Sequence, residues 1–361
     1  MSNKGRGLFS GDFFLGLPIQ EKINFSQHLA IVIKAGLPLL EGLRVIRRQT
    51  RSKALGKIID QVMIDLNNGK FLADSLDQYR NIFGEFYINI VRIGEASGTL
   101  GTNLVYLASE IEKSKELRSK VQGALVYPAV IMVATLGITS LLTFFIFPKV
   151  LPIFASLRVE LPLTTRIVVF IFNFLLAYGL WALLALVILA IGFRLLLLLQ
   201  GFRFFIHRTF FYLPVLSSLV INVNMANFTR VFGILLKSGI KIVEATVITS
   251  KTFSNLVYRK AILDASESIK KGEQLSHGLN LEQKFFPPLL TGMIEIGENT
   301  GNLEENLEYL AEYYSKQVDS SIRSMTSVLE PVLILGMGLI VGFVSLSIIT
   351  PIYSLTQNLG R

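Results

Sequence analysis

The sequence predicts an all-α membrane protein, with two tandem cytoplasmic helical-bundle domains and three transmembrane helices. Three observations predict it. The apolar residues are concentrated in long uncharged segments, the chain repeats itself in one register, and its punctuation is helical, with no sustained strand alternation.

Of the 361 residues, 51% are hydrophobic and 17% charged, and the mean hydropathy is +0.53. Soluble domains usually carry about one quarter charged residues. Three segments hold no charge: between Lys120 and Lys149, between Arg166 and Arg194, and from Pro331 up to Arg361. Each exceeds the roughly 20 residues that cross the hydrocarbon core at about 1.5 Å per residue. The first carries an early proline, Pro128, and the third carries Gly336, Gly338 and Gly342, which favour close helix approach in lipid. A fourth uncharged stretch, from Thr209 to Thr229, contains Pro214, Asn222, Asn224 and Asn227. Amides in lipid each need a partner, so this stretch reads as a membrane-proximal cytoplasmic helix.

Charge sets the expected orientation. Lys113, Lys115, Arg118 and Lys120 precede the first span, Arg194, Arg203 and Arg208 follow the second, and Lys316 and Arg323 precede the third. Basic residues collect on the cytoplasmic side, which places both large polar segments there. The expected divisions are a short N-terminal segment 1–24, a first cytoplasmic repeat 25–120, a transmembrane helix 121–148 and an extracytoplasmic loop 149–166. A second transmembrane helix 167–193, a membrane-proximal connector 194–227 and a second repeat 228–330 follow, then a third transmembrane helix 331–351 and a tail 352–361. The apolar stretch near the start is broken by Pro18 and lacks a small-residue cleavage site, so no removable signal peptide is expected.

The repeat is the strongest signal. Phe228 lies 203 positions after Phe25, and the same shift brings Lys34 onto Lys237, Glu41 onto Glu244, Gly69 onto Gly272 and Phe83 onto Phe286. The densest match sets Ile93-Gly94-Glu95-x-x-Gly98-x-Leu100 on Ile296-Gly297-Glu298-x-x-Gly301-x-Leu303. Asn103, Leu104, Tyr106 and Leu107 then fall on Asn306, Leu307, Tyr309 and Leu310, and Pro128 on Pro331. One register over that length means duplication. Gly36 and Gly239, Gly69 and Gly272, and Gly98 and Gly301 read as helix ends, with Pro38 opening a helix in the first copy. Asn302 and Glu305 have the spacing of a capping box. Leu100, Leu104, Leu107 and Ile111 recur at helical spacing, as do Leu303, Leu307, Leu310 and Tyr314. Each copy should form a bundle of about five or six helices.

Catalytic and cofactor chemistry find no support in the sequence. With no cysteine, disulfides and thiolate ligands are excluded. His28, His207 and His277 share no motif, and phosphate-loop, GxSxG and HExxH patterns do not occur. No cofactor and no metal are expected. The net charge of +9 belongs to dispersed residues rather than an aromatic-interleaved patch, so no nucleic-acid partner is expected. The residues singled out are Gly94, Glu95 and Gly98, with Gly297, Glu298 and Gly301. Their carboxylates would contact a partner or cation, or else form a polar helix end beside a glycine cap. Glu304 and Glu305, with Glu308 and Glu312, make either a binding face or a solvated helix start favoured by the dipole. Tyr127-Pro128 and Glu330-Pro331 mark the two matching membrane boundaries. Residues 1–120 carry 17 basic and 12 acidic groups, net +5, and residues 231–330 carry 10 and 13, net −3. The copies share fold signals but not surface charge.

Around the first span the sequence reads Lys120, Val121, Ala124, Leu125, Tyr127, Pro128, Ile131, Thr135, Leu142 and Ile146-Phe147-Pro148. This run, the Lys34-Ala35-Gly36…IGExxGxL duplication and the ELPLTTR stretch from Glu160 to Arg166 resemble the type II secretion F / type IV pilus PilC family of inner-membrane platform proteins. The resemblance covers nearly all of the chain from about Phe25. It implies a non-enzymatic homo-oligomeric platform in the lipid bilayer, coupling a cytoplasmic hexameric assembly ATPase to insertion of pilin or pseudopilin transmembrane helices. Two departures stand out. Only some two dozen residues precede the first repeat, and Glu330 stands where the first copy has Tyr127. The rival readings are a membrane-anchored scaffold and a small-solute secondary transporter. The transporter usually places ionisable residues inside its spans, and these spans have none.

Overall fold

The computed structural model describes residues 16–146, 148–149, 163–197, 199–209 and 214–359, and no strand occurs among the described residues. The expected loop falls mostly on residues 150–162, outside the described residues, as do residues 1–15 of the N-terminal segment and residues 360–361 of the tail.

The first copy comprises α1 (Ile19–Lys34), α2 (Leu39–Gln49), α3 (Lys53–Asn67), α4 (Leu72–Asp77), α5 (Arg80–Phe83), α6 (Glu85–Ser97) and α7 (Leu100–Ala124). The apolar helix α8 (Val126–Leu141) follows and ends in a π-helical turn, Leu142–Ile146. Next come α9 (Leu163–Leu196) and α10 (Gln200–Thr209). The second copy is α11 (Pro214–Lys237), α12 (Ile242–Thr252), α13 (Leu256–Lys270), α14 (Leu275–Asn280), α15 (Pro288–Thr300) and α16 (Leu303–Leu359). The punctuating glycines Gly36, Gly69, Gly98, Gly239, Gly272 and Gly301 fall at helix breaks, all at positive φ. The second copy lacks the short α5, and its α16 runs unbroken where the first copy has α7, α8 and the π-helical turn.

The duplication extends to local detail. Ser52 Oγ accepts from Leu55 N at the start of α3, and its counterpart Asn255 caps Val257 N at the start of α13. Phe25 and Phe83 lie 6.2 Å apart in the first core, and their counterparts Phe228 and Phe286 lie 6.0 Å apart in the second. Each such fully buried ring is worth roughly 2–3 kcal/mol. The buried tyrosine has moved. In the first copy Tyr87 on α6 shares a 2.7 Å hydrogen bond with Ser26, whereas in the second Tyr258 on α13 donates to the Phe285 carbonyl at 3.1 Å.

The helices divide into two compact units. One gathers the residues up to Ser119 with Ser217–Val318, so the two copies pack as a single helical unit. The other joins Lys120–Leu216 with residues from Asp319 onward. In this second unit Thr165 on α9 donates to the Ser347 carbonyl on α16 at 2.8 Å, both residues buried, and Lys120 meets Asp319 at 2.9 Å. Most of α9 is bare: Phe170, Leu180, Trp181 and Leu189 are all at least 69% exposed. An apolar helix left uncovered over this length belongs in lipid rather than water.

Four described segments are long and apolar enough to cross a membrane: Leu100–Phe145, Leu176–Leu196, Leu216–Lys237 and Leu303–Thr350. The third differs from the rest. Its most apolar window is 44% buried, against 11% or less in the others, because Met225, Phe228, Phe232 and Leu235 form the second core. The divisions drawn at 120/121, 227/228 and 330/331 fall inside α7, α11 and α16. Pro331 does not interrupt α16, although it removes one backbone donor. The π-helical turn is a feature that apolar periodicity does not signal.

One buried carboxylate belongs to the first copy alone. Asp65, 3% exposed, accepts from Lys70 Nζ at 2.9 Å, Ser75 Oγ at 2.8 Å and Gln78 Nε2 at 2.8 Å, tying α3 to α4. The corresponding second-copy residues are Ser268, Glu273, Gly278 and Leu281. Asp65→Ala should cost about 2 kcal/mol, because it leaves the buried Ser75 hydroxyl without its acceptor and unties the exposed Lys70 and Gln78. Ser268→Ala should cost under about 0.5 kcal/mol. Denaturant unfolding of the purified chain measures both.

Candidate interaction site

Each Gly-Glu module closes one bundle. The α4 N-terminus presents unpaired amides, and its N-cap residue Phe71 supplies no side-chain acceptor. The Glu95 carboxylate reaches over from α6 instead. Its Oε1 accepts from Leu72 N at 2.7 Å and its Oε2 from Ala73 N at 3.0 Å. In the second copy Gln274 is the N-cap residue and Glu298 accepts from Leu275 N at 2.6 Å and Ser276 N at 3.0 Å. Negative charge at a helix N-terminus makes these bonds stronger than neutral ones.

The glycines bring the carboxylates into position. Gly98 and Gly301 adopt left-handed φ of +73° and +77°, which turns the chain back so that α7 and α16 start hard against α6 and α15. At the crossing, a Cβ on Gly94 would lie 2.9 Å from Leu100 Cα, and one on Gly297 would lie 2.7 Å from Leu303 Cα. Asn103 Nδ2 donates to the Ile90 carbonyl at 3.2 Å and Asn306 Nδ2 to the Met293 carbonyl at 2.9 Å, stitching each crossing. The function of these asparagines was not read from the sequence, although the repeat register had already paired them.

The structure does not bring the other singled-out residues into one site. Glu304 and Glu305 are exposed on the first turn of α16, with no ion pair among the described residues. Tyr127 is exposed and Pro128 buried, whereas Glu330 and Pro331 are both exposed. His28 is exposed on α1, and His277 lies 3.4 Å from Glu273. No cluster of three metal-ligating groups occurs among the described residues.

The seam between the two copies was not read from the sequence either. There α6 and α7 of the first copy face α11 and α12 of the second. Lys251 meets Glu85 at 2.6 Å, and Lys237 sits 5.4 Å from the Tyr106 ring centroid. A cavity of about 570 Å³ opens beside this pair, with Arg80, Asn81 and Arg259 in its wall. Deeper in, Arg230 Nε lies 3.5 Å from Glu110 Oε2, an ion pair without hydrogen-bond geometry. Arg230 also donates to Ser315 Oγ at 2.8 Å. Burial pushes the Glu110 carboxyl up to about 7, while Arg230 and Lys113 pull it only part of the way back.

Two outcomes follow from these contacts. Glu95→Ala should cost about 2 kcal/mol in denaturant unfolding, and Glu95→Gln, which keeps one acceptor, about half as much. Glu110 has a folded value above its ordinary 4.5, so its contribution is fully present below that value and lost as pH rises through about 7. Melting of the purified chain between pH 5 and pH 8 should show a loss of roughly 3 kcal/mol that Glu110→Gln removes.

Comparison with known proteins agrees with this architecture. The family described as Type II secretion system (T2SS), protein F matches residues 25–148 and again 228–351, the two halves of the duplication. The chain is 35% identical over 336 residues to a type IV pilus assembly protein PilC of Thermus thermophilus, covering 93% of this chain and 82% of that protein. It is 32% identical over 348 residues to a type II secretion system protein F of Pseudomonas aeruginosa, covering 96% and 86%. A type IV pilus assembly protein PilC of Myxococcus xanthus is 30% identical over 354 residues, covering 97% and 85%. With two family matches in the register of the repeat, an all-helical fold and bare apolar helices, the chain belongs to the type II secretion system protein F family.

Proposed function

We propose that this chain is the inner-membrane platform of a type IV pilus or type II secretion pseudopilus. In this reading it is not an enzyme. It couples a cytoplasmic hexameric ATPase to insertion of pilin or pseudopilin helices, and its two copies face the cytoplasm. The observation that carries the proposal is the apolar surface of the second unit. Gly336, Gly338 and Gly342 on α16 have open space where a Cβ would stand, with no described atom beyond their own helical turns within 4 Å. Small residues on an uncovered apolar helix suit close approach by another transmembrane helix. The names of the relatives, pilus assembly and type II secretion, supply the class of machine.

In this reading the first half of α11, up to residue 227, is the membrane-proximal connector and its second half opens the second cytoplasmic repeat. Its buried aromatic face supports that placement, and its asparagines then lie outside the hydrocarbon. Exposed Glu304 and Glu305 offer an acidic surface for the ATPase.

Co-purification with the neighbouring hexameric ATPase tests the proposal. The wild-type chain should retain the ATPase and raise its turnover, and Glu304→Lys with Glu305→Lys should weaken retention about tenfold, or roughly 1.4 kcal/mol. Gly338→Leu should reduce the oligomer mass in mild detergent without unfolding the chain, since the added atoms meet nothing within it. A chain indifferent to the ATPase would point to an anchored scaffold instead.

A further inference from the structure

The seam inside the chain is formed by two different faces. The first copy contributes its α6–α7 face and the second its α11–α12 face. Because the copies are repeats, each also carries the face that the other uses. The first copy has an α1–α2 face equivalent to α11–α12, and the second has an α15–α16 face equivalent to α6–α7.

Those spare faces are apolar and uncovered. Ile31 and Val45 of the first copy are 65% and 39% exposed. Their counterparts at the seam, Ile234 and Ile248, are half-buried and 3% exposed. Leu289, Ile296 and Tyr309 of the second copy are 42%, 54% and 61% exposed, whereas their counterparts Phe86, Ile93 and Tyr106 are half-buried. One polar contact has an equivalent, whereas the ion pairs Glu85–Lys251 and Glu110–Arg230 are replaced by Pro288 with Arg48 and Tyr313 with Gln27. Lys34 stands where Lys237 faces Tyr106, and Tyr309 stands where that ring lies.

We propose that the α15–α16 face of one chain docks on the α1–α2 face of a second copy of this chain, repeating between chains the seam already made within each. Continuity with the internal seam identifies the occupant, and charge supports it. The spare face of the first copy carries Lys34 and Arg48 and that of the second carries Glu295, while Arg44 and Glu308 beside them are already paired with Glu41 and Lys237. Opposite charge steers these faces together and disfavours pairing of either with itself. The contact is head-to-tail, so it builds a closed ring or an open row rather than a single two-fold dimer. This deepens the platform reading and rests on it for the expectation that chains assemble.

The chain has no cysteine, so introduced thiols report cleanly. A Glu85→Cys/Lys251→Cys chain calibrates a short thiol cross-linker on the internal seam. An Arg48→Cys chain mixed in mild detergent with a Pro288→Cys chain then tests the equivalent contact between chains. A second mixture, Lys34→Cys with Tyr309→Cys, tests it independently. The expected result is internal closure of the calibrator and covalent dimers in both mixtures, with none from any single variant alone. If the calibrator closes and the mass is that of a multimer but neither mixture cross-links, chains assemble through another face; the docking is then overturned and the platform reading stands. Dimers from one variant alone would overturn the head-to-tail geometry. A monomeric mass with a closed calibrator would overturn the docking and the self-assembly that the platform reading requires.

Discussion

A carboxylate reaching from one helix to cap another is the contact on which each bundle depends. Glu95 and Glu298 each satisfy two amides at the N-terminus of a six-residue helix whose own cap residue offers nothing. So short a helix has little cooperative stability of its own. The carboxylate reaches it only because Gly98 and Gly301 reverse the chain tightly and because Gly94 and Gly297 let the next helix cross with backbone almost touching. The long helices α7 and α16 begin at these crossings.

Much of this was legible in the sequence, and for a definite reason. A backbone position that only glycine tolerates leaves the same letter in both copies, as Gly94 and Gly297 do. The duplication likewise exposed the aromatic pair Phe25 and Phe83 through its twin. Features that one copy holds alone were not legible. The Asp65 network draws on Lys70, Ser75 and Gln78, residues that look like ordinary surface letters until folding gathers them. Glu110 gave no sign of burial, because its environment comes from Arg230 of the other copy, 120 positions away. Contacts between copies are the least visible, since no local period encodes them.

The two units divide the physical tasks. One holds nearly all the polar contacts and both hydrophobic cores. The other is largely apolar, with bonds between its helices such as that from Thr165 to Ser347 among the described residues. The glycines of α16, with open space where a Cβ would stand, belong to this second unit.

The seam has a consequence for how the duplicated halves can evolve. Arg230, which faces Glu110, is matched in the first copy by Gln27, and Glu110 is matched in the second by Tyr313. A chain made of two first halves would bury a carboxylate opposite an amide, and one made of two second halves would bury an arginine opposite a phenol. Neither homogeneous tandem keeps charge balance at its centre. The halves have thus become complementary rather than interchangeable, and gene conversion between them would be selected against at this one buried position even where every glycine and every core ring still agreed.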